Sequence, residues 1–317
     1  MKKKYAVGID VGGTTAKFGI VDRNGKILQQ DRIPSNEHKI VEDFIEDMFA
    51  KLNPMIEELG GVGNFVGIGM GAPNGNIYSG TIEYAPNLKW KGIIPIAALV
   101  QKKFGLTTRL TNDANAAAMG EMRYGCTKDI KHFITITLGT GVGSGIVIDG
   151  KIVVGHDGFA GELGHTIIRP GGRMHKSTGM QGSLESYASA TGVRETAIEM
   201  LTEYPEIDSL LRNFRINELT SETVYDCALQ GDTIANRIFE FTGQILGESL
   251  ANFVMFSSPE AIILFGGLTK AGNLLLHPTR KYMEANLLPI FQNKVKLLFS
   301  ELKEADAAIL GASALVW

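Results

Sequence analysis

The chemistry-bearing residues of this 317-residue chain gather around one stretch, Leu110 to Glu121. Asn112 and Asp113 stand where a short β-branched run, Thr107 to Thr111, gives way to the helix formers of Ala114 to Met122. Asx residues at such a switch cap helices by accepting backbone N–H groups. A carboxylate there also meets the positive end of the helix dipole, which favours its ionised form. An ionised Asp at the mouth of a strand-to-helix turn is suited to accept a hydroxyl proton as a general base. Alone, the segment reads first as a capped helix start. Its position between two glycine-rich loops brings the second reading forward.

The first loop is Asp10-Val11-Gly12-Gly13-Thr14-Thr15-Ala16-Lys17, between strands Tyr5 to Ile9 and Phe18 to Val21. Its glycines let the backbone approach a ligand, and its N–H groups can cradle phosphate oxygens. It joins two strands of a hairpin, whereas a Rossmann or Walker loop opens a helix; a purely structural tight turn is the competing reading. The second loop is Leu138-Gly139-Thr140-Gly141-Val142-Gly143-Ser144-Gly145, between strands His132 to Thr137 and Ile146 to Ile148. Gly25-Lys26-Ile27 closes the first hairpin and Gly150-Lys151-Ile152 the second, which indicates an internal duplication. One hairpin per domain would grip the phosphates of a nucleotide from both sides. From Gly155 to Glu185 the chain is irregular, and polar residues among glycines there favour a ligand-lining loop. Glu162, His165 and Glu185 are its candidates, each of which read singly is equally a solvated or structural residue. Gly266-Gly267 follows the strand Ala261 to Phe265 as a third glycine turn before a helix, able to pack against a base or ribose.

Helices are expected over His38 to Gly60, where Ile40, Phe44, Met48 and Leu52 recur every four residues, and over Ile94 to Phe104. Further helices are expected over Ser186 to Tyr204, Ser221 to Gln230, Asp232 to Phe256 and Glu304 to Trp317. Val66 to Met70 reads as a buried strand running into the polar loop Gly71 to Asn76. The small residues Gly311 to Ala314 suit close packing of the last helix on the first section. The length exceeds what one core usually fills. The expected domains are 1–112 with the helix 304–317, and 113–303.

Hydrophobic content of 44% and charged content of 21% are ordinary for a globular protein. A net charge of −3 gives no electrostatic case for nucleic acid or an anionic membrane. Two cysteines, Cys126 and Cys227, argue against a disulfide framework and for a reducing compartment. After Met1-Lys2-Lys3-Lys4 the apolar run Tyr5 to Ile9 is too short for a signal peptide, and no run reaches the length of a membrane span. A cytoplasmic location is the expectation.

From about Tyr5 to its C-terminus the chain resembles the ROK family of sugar kinases within the actin-like ATPase superfamily. The carriers are Asp10 to Lys17, Thr111-Asn112-Asp113-Ala114-Asn115, Leu138 to Gly143, Glu162-Leu163-Gly164-His165 and Phe265-Gly266-Gly267. The resemblance implies an α/β architecture of two ribonuclease-H-like domains around a central cleft holding ATP and sugar. It implies that Asp10 organises Mg²⁺, that Gly12, Gly13, Thr14, Thr15 and Lys17 and then Gly139, Thr140 and Gly141 serve the phosphates, and that Gly266 and Gly267 lie by the adenosine. It makes Asp113 the catalytic base and Asn112, Glu162, His165 and Glu185, with Asn87, the sugar ligands. A homodimer is implied as well. The reaction implied is ATP-dependent phosphorylation of a hexose, glucose before an N-acetylhexosamine such as N-acetylmannosamine or N-acetylglucosamine.

The chain departs from the family at one place. Many members hold structural zinc through Cys-x-Cys-Gly-x-x-Gly-Cys-Leu-Glu; here Lys176, Thr178 and Ser183 occupy the cysteine positions. These are poor zinc ligands, and neither His165 nor His175 compensates. The expectation is ATP and Mg²⁺ but no zinc. Sugar-responsive regulators of the same family are the other functional class. They carry an N-terminal helix-turn-helix domain, for which a chain beginning at its first strand has no room.

Overall fold

Strand β1 (Tyr5–Val11) alternates two kinds of residue, and that alternation builds the layers around it. In the computed structural model, which describes residues 3–317, Val7, Ile9 and Val11 point into an apolar core. Gly8 points the other way, against the C-terminal helix. Met1 and Lys2 of the basic start lie outside the described residues. Hairpin partners β2 (Thr15–Asp22) and β3 (Ile27–Pro34) follow, then helix α1 (Val41–Glu58) and β4 (Phe65–Gly71). A two-stranded ribbon, β5 (Ile82–Glu83) with β6 (Ile93–Ile94), precedes α2 (Ile96–Phe104), β7 (Thr108–Thr111) and α3 (Asp113–Tyr124). The first sheet has the order β3-β2-β1-β4-β7, with β1 antiparallel to β2 and parallel to β4. Phe44, Met48, Leu52 and Ile56 of α1 and Ile96, Val100 and Phe104 of α2 complete the core on one face.

The second half repeats the plan. It runs through β8 (Phe133–Leu138), β9 (Val142–Ile148), β10 (Lys151–Ile152), α4 (Glu185–Ala188), α5 (Ala190–Glu203), α6 (Ser221–Leu229) and α7 (Thr233–Ser257). Then come β11 (Ala261–Phe265), α8 (Asn273–Ala285), β12 (Lys296–Phe299) and α9 (Glu304–Ala314). The order β10-β9-β8-β11-β12 matches the first sheet position for position, with β11 parallel to both β8 and β12. Glycines notch α7 for α8: a Cβ on Gly243 would lie 2.5 Å from Pro278 and one on Gly247 2.4 Å from the Thr279 carbonyl.

The chain divides into two compact units. The first comprises Met1–Lys131, Gly145–Gly161 and Ser300–Trp317; the second comprises His132–Ser144 and Glu162–Phe299. The last helix falls in the first unit. A division after Asn112 does not describe these units, because α3 also lies in the first. The reason is a glycine contact: a Cβ on Gly120 of α3 would sit 2.9 Å from the Gly311 Cα of α9. No helix among the described residues is long and apolar enough to cross a membrane.

Candidate active site

In the first unit the candidates collect at the C-terminal ends of β1, β4 and β7. Asp10 pairs in register with Lys17 on β2 and with Gly71 on β4. A Cβ on Gly71 would lie 3.2 Å from the Ala116 Cβ, 3.7 Å from the Asp113 Cα and 3.9 Å from Asp10 Oδ1, so Gly71 lies beside both aspartates. Burial, then the charge of Asp113, push the Asp10 carboxyl up to about 6, with Lys17 opposing. Asp113 keeps exposed surface although protein crowds its carboxyl; that crowding raises its pKa, against the N–H of Ala114 bound to Oδ1 at 2.9 Å.

Capping of α3 falls to Asn112 and not to Asp113. Asn112 has extended backbone and its Oδ1 accepts the Asn115 N–H at 2.7 Å. That bond fixes which way the amide faces and turns its NH₂ outward from the cap. The first loop is the hairpin turn expected. The Gly12 N–H donates to the Thr15 carbonyl at 3.1 Å, and Ser35 braces it through its N–H to the Thr14 carbonyl at 2.9 Å. Gly13 packs on Asn87, where a Cβ would lie 2.9 Å from the Asn87 carbonyl, so Asn87 lies against this loop. Thr14 and Lys17 are exposed and Thr15 partly so.

The second unit gathers its candidates at the turn from β8 to β9. The Gly139 N–H donates to the Gly141 carbonyl at 3.0 Å. The first turn of α5 abuts this loop: the Ala190 N–H donates to the Gly139 carbonyl at 2.8 Å and Thr191 Oγ1 to the Thr140 carbonyl at 2.9 Å. A helix N-terminus at a glycine-rich turn favours an anion there. Glu185 lies against the same turn, Oε2 accepting the Val142 N–H at 2.7 Å; a Cβ on Gly141 would sit 2.2 Å from that oxygen. Ser144 Oγ accepts the Leu163 N–H at 3.1 Å, and Gly164 packs onto the Val142 carbonyl, which docks Glu162 and His165 beside the hairpin. His165 Nδ1 lies 3.3 Å from the Glu162 carboxylate. Gly266, at φ +107°, meets the Leu138 carbonyl, where a Cβ would be 2.6 Å away; Gly267 beside it is exposed. Thr137, Ser144 and His175 are part of this construction, though the sequence offered none of them as a site residue. Thr137 Oγ1 accepts the Gly143 N–H at 3.1 Å, and a threonine inside a strand carries no signal of that task.

The residues at the family's cysteine positions have other partners. Lys176 Nζ lies 3.3 Å from the Glu195 carboxylate, Thr178 Oγ1 3.0 Å from His175 Nδ1, and Ser183 Oγ 2.8 Å from Ser186 Oγ. An ammonium and two hydroxyls do not make a tetrahedral zinc site. Among the described residues no group of three or more His, Cys, Asp or Glu is placed to hold a metal ion. Arg173 ties this loop to its surroundings. Its guanidinium donates to the carbonyls of Ser186 at 2.7 Å and Gly192 at 3.1 Å, to Thr196 Oγ1 at 2.9 Å and to Glu199 Oε1 at 2.8 Å.

Comparison with known proteins bears on the chain as a whole. The ROK family model matches residues 6–317. The chain is 35% identical to a glucokinase of Halalkalibacterium halodurans over 321 aligned positions, covering 100% of this chain and 96% of that one. It is 34% identical to a xylose repressor of Caldicellulosiruptor bescii, covering 98% of this chain and 77% of the repressor. Among solved structures, a ROK family glucokinase from Streptomyces griseus in complex with glucose and AMPPNP superposes with a TM-score of 0.80 at 30% identity, covering 98% of this chain and 99% of that one.

Proposed function

The chain belongs to the ROK family, and from that premise we propose that it is an ATP-dependent sugar kinase whose substrate is glucose, phosphorylated to glucose 6-phosphate. The observation that carries the reading is the approach of Asp113 to Asp10 around Gly71, with helix capping taken over by Asn112. A carboxylate relieved of capping, and raised in pKa by the protein around it, is matched to a base that works on a hydroxyl near neutral pH.

In the reaction Asp113 takes the proton of the sugar O6 hydroxyl as that oxygen bonds to the γ-phosphorus of ATP. The bond from the γ-phosphorus to the bridging oxygen breaks, and ADP leaves with that electron pair. Asn112 offers its amide NH₂ to the sugar, and Glu162, His165 and Glu185, with Asn87, meet its other hydroxyls. The backbone of Gly12, Gly13, Thr14 and Thr15, the Lys17 ammonium, and the turn Gly139-Thr140-Gly141 serve the phosphates, and Gly266-Gly267 the adenosine. Asp10 fits a Mg²⁺ that arrives with the nucleotide, since its carboxyl is pushed up to about 6 by burial and by Asp113, and a divalent cation relieves that repulsion. Held there, Mg²⁺ would supply positive charge against the transferring phosphoryl group.

The match to a xylose repressor supports a second reading, a sugar-responsive regulator. Retention of the Asp10–Asp113 arrangement favours the enzyme. The test is turnover of a panel of hexoses and N-acetylhexosamines with ATP and Mg²⁺. Glucose should give the highest kcat/KM. Turnover confined to an acetylated hexosamine would reassign the substrate, and sugar binding without any turnover would support the regulator.

A further inference from the structure

Glu185 is held at both of its oxygens. Oε2 takes the Val142 N–H at 2.7 Å, and Oε1 lies 3.0 Å from His175 Nε2. The other imidazole nitrogen, Nδ1, lies 3.0 Å from Thr178 Oγ1 and 3.3 Å from Ser177 Oγ. A hydroxyl that donates to Nδ1 leaves the proton on Nε2, aimed at the carboxylate. Both side chains are largely covered, His175 at 17% and Glu185 at 12% exposure.

His175 reaches Glu185 because residues 173–182 fold back on themselves. The His175 N–H donates to the Met180 carbonyl at 2.8 Å and the Gly179 N–H to the His175 carbonyl at 2.8 Å; Met174 pairs with Gln181. The Gly182 N–H donates to the Arg173 carbonyl at 2.8 Å, and Arg173 anchors the fold-back to α4 and α5. Where the family holds this loop through cysteines, this chain uses Thr178 to orient an imidazole.

We infer that His175 is a positioning residue for sugar recognition: its Nε2–H fixes the plane of the Glu185 carboxylate, and Thr178 fixes the tautomer that allows it. The terminal torsion of a Glu side chain is soft. With the Val142 bond alone the carboxylate rotates, and the oxygen offered to a sugar hydroxyl loses its direction. The inference rests on the reading of Glu185 as a sugar ligand, so its test begins there.

Glucose binding is measured by titration calorimetry on the nucleotide-free protein, beside nucleotide affinity and the melting temperature. Glu185→Gln should weaken glucose binding by roughly ten- to a hundredfold, the scale of one hydrogen bond to a charged group. His175→Ala should weaken it about tenfold on the same scale, with nucleotide affinity unchanged. His175→Gln keeps an N–H donor and should recover most of the loss. Thr178→Val should act in the direction of His175→Ala. Because His175 acts through Glu185, the double variant His175→Ala/Glu185→Gln should bind glucose no more weakly than Glu185→Gln. Full additivity, or parent affinity in His175→Ala, overturns the proposal while leaving Glu185 a ligand. Parent affinity in Glu185→Gln removes the underlying reading as well. If His175→Ala does not fold, Thr178→Val decides: a loss for glucose alone supports the role, and parent affinity overturns it.

Discussion

The balance of charge at Asp10 and Asp113 sets what each residue can be expected to do. Asp113→Asn keeps the size of the side chain and leaves the Asn112 cap untouched. The variant should melt no lower than the parent, since it removes the charge that raises Asp10, and should lose on the order of 10² to 10⁴-fold in kcat, the usual worth of a general base. In the parent, kcat/KM should fall on acidification through a pKa above the ordinary carboxylate range, since the base must be ionised and the protein crowding its carboxyl raises its pKa. Parent-level turnover by Asp113→Asn would remove it from the chemistry. Asp10→Asn tests the same pair through stability. A carboxyl raised to about 6 in the fold holds its proton more tightly folded than unfolded. Its effect on stability is therefore absent at low pH, grows as pH rises from the ordinary carboxylate range through about 6, and is complete above. Asp10→Asn should stabilise the ligand-free protein by about 1–3 kcal/mol at pH 7.5, the lower end being favoured because Asp10 is partly solvated, and much less at pH 4. Urea midpoints at the two pH values check this, and equal midpoints for parent and variant at pH 7.5 would contradict it. Asp10, Asn112 and Asp113 were legible because each sits at a strand end beside a motif. Which of the Asx pair caps was not, because that depends on the backbone torsions of Asn112 alone.

Between elements, glycines set the distances. Gly8 and Gly69 face α9 from β1 and β4: an added Cβ would lie 2.0 Å from the Ile309 carbonyl and 1.8 Å from the Ala312 carbonyl. Neither neighbour is a flexible side-chain end, so the helix itself must move. Gly69→Ala should cost on the order of 1–3 kcal/mol or more, as overpacking does. Gly63, with nothing within 4 Å of an added Cβ, is the control, and Gly63→Ala should change the urea midpoint little. Equal midpoints for the two variants would refute the close approach of α9. Periodicity and turn chemistry located α1, α3, α6, α7 and β11 within a few residues, because each carries its pattern within its own span. Lys296 to Phe299 gave no reading as strand β12, since four residues after a long irregular stretch hold too short a pattern. The partnership of Gly8 with Ile309 was equally hidden, the two being far apart in sequence. His175 and Glu185, ten positions apart, meet only because residues 173–182 fold back, and no spacing rule announces that.

At the scale of the whole chain, the repeated hairpin loops were legible as a duplication, and the two sheets share one strand order. What the repeat did not disclose is that the chain passes between the units more than once and that its last segment, Ser300–Trp317, completes the first. Ala307, Ile309, Leu310 and Ala312 of α9 are buried there. Ile309 and Leu310 alone represent about 3–6 kcal/mol of burial, comparable with the net stability of a domain, roughly 5–15 kcal/mol. A chain ending at Phe299 should therefore fail to fold its first unit. The molecule supplies its own reporter, for it has two tryptophans, Trp90 and Trp317, and both belong to that unit. Trp90 is buried against Phe44, ring centroids 4.8 Å apart, and remains as the sole tryptophan after truncation. Its emission should shift to that of solvent-exposed indole in the truncated chain, and sugar turnover should vanish, since Asp10 and Asp113 lie in the same unit. A synthetic peptide of residues 300–317 carrying Trp317→Phe, added in trans so that Trp90 stays the sole emitter, should move the emission back toward that of buried indole, through contacts of Gly8 and Gly69 with the helix it restores. A truncated chain that kept the blue emission of the parent and melted with it would show that α9 decorates the first unit and does not complete it.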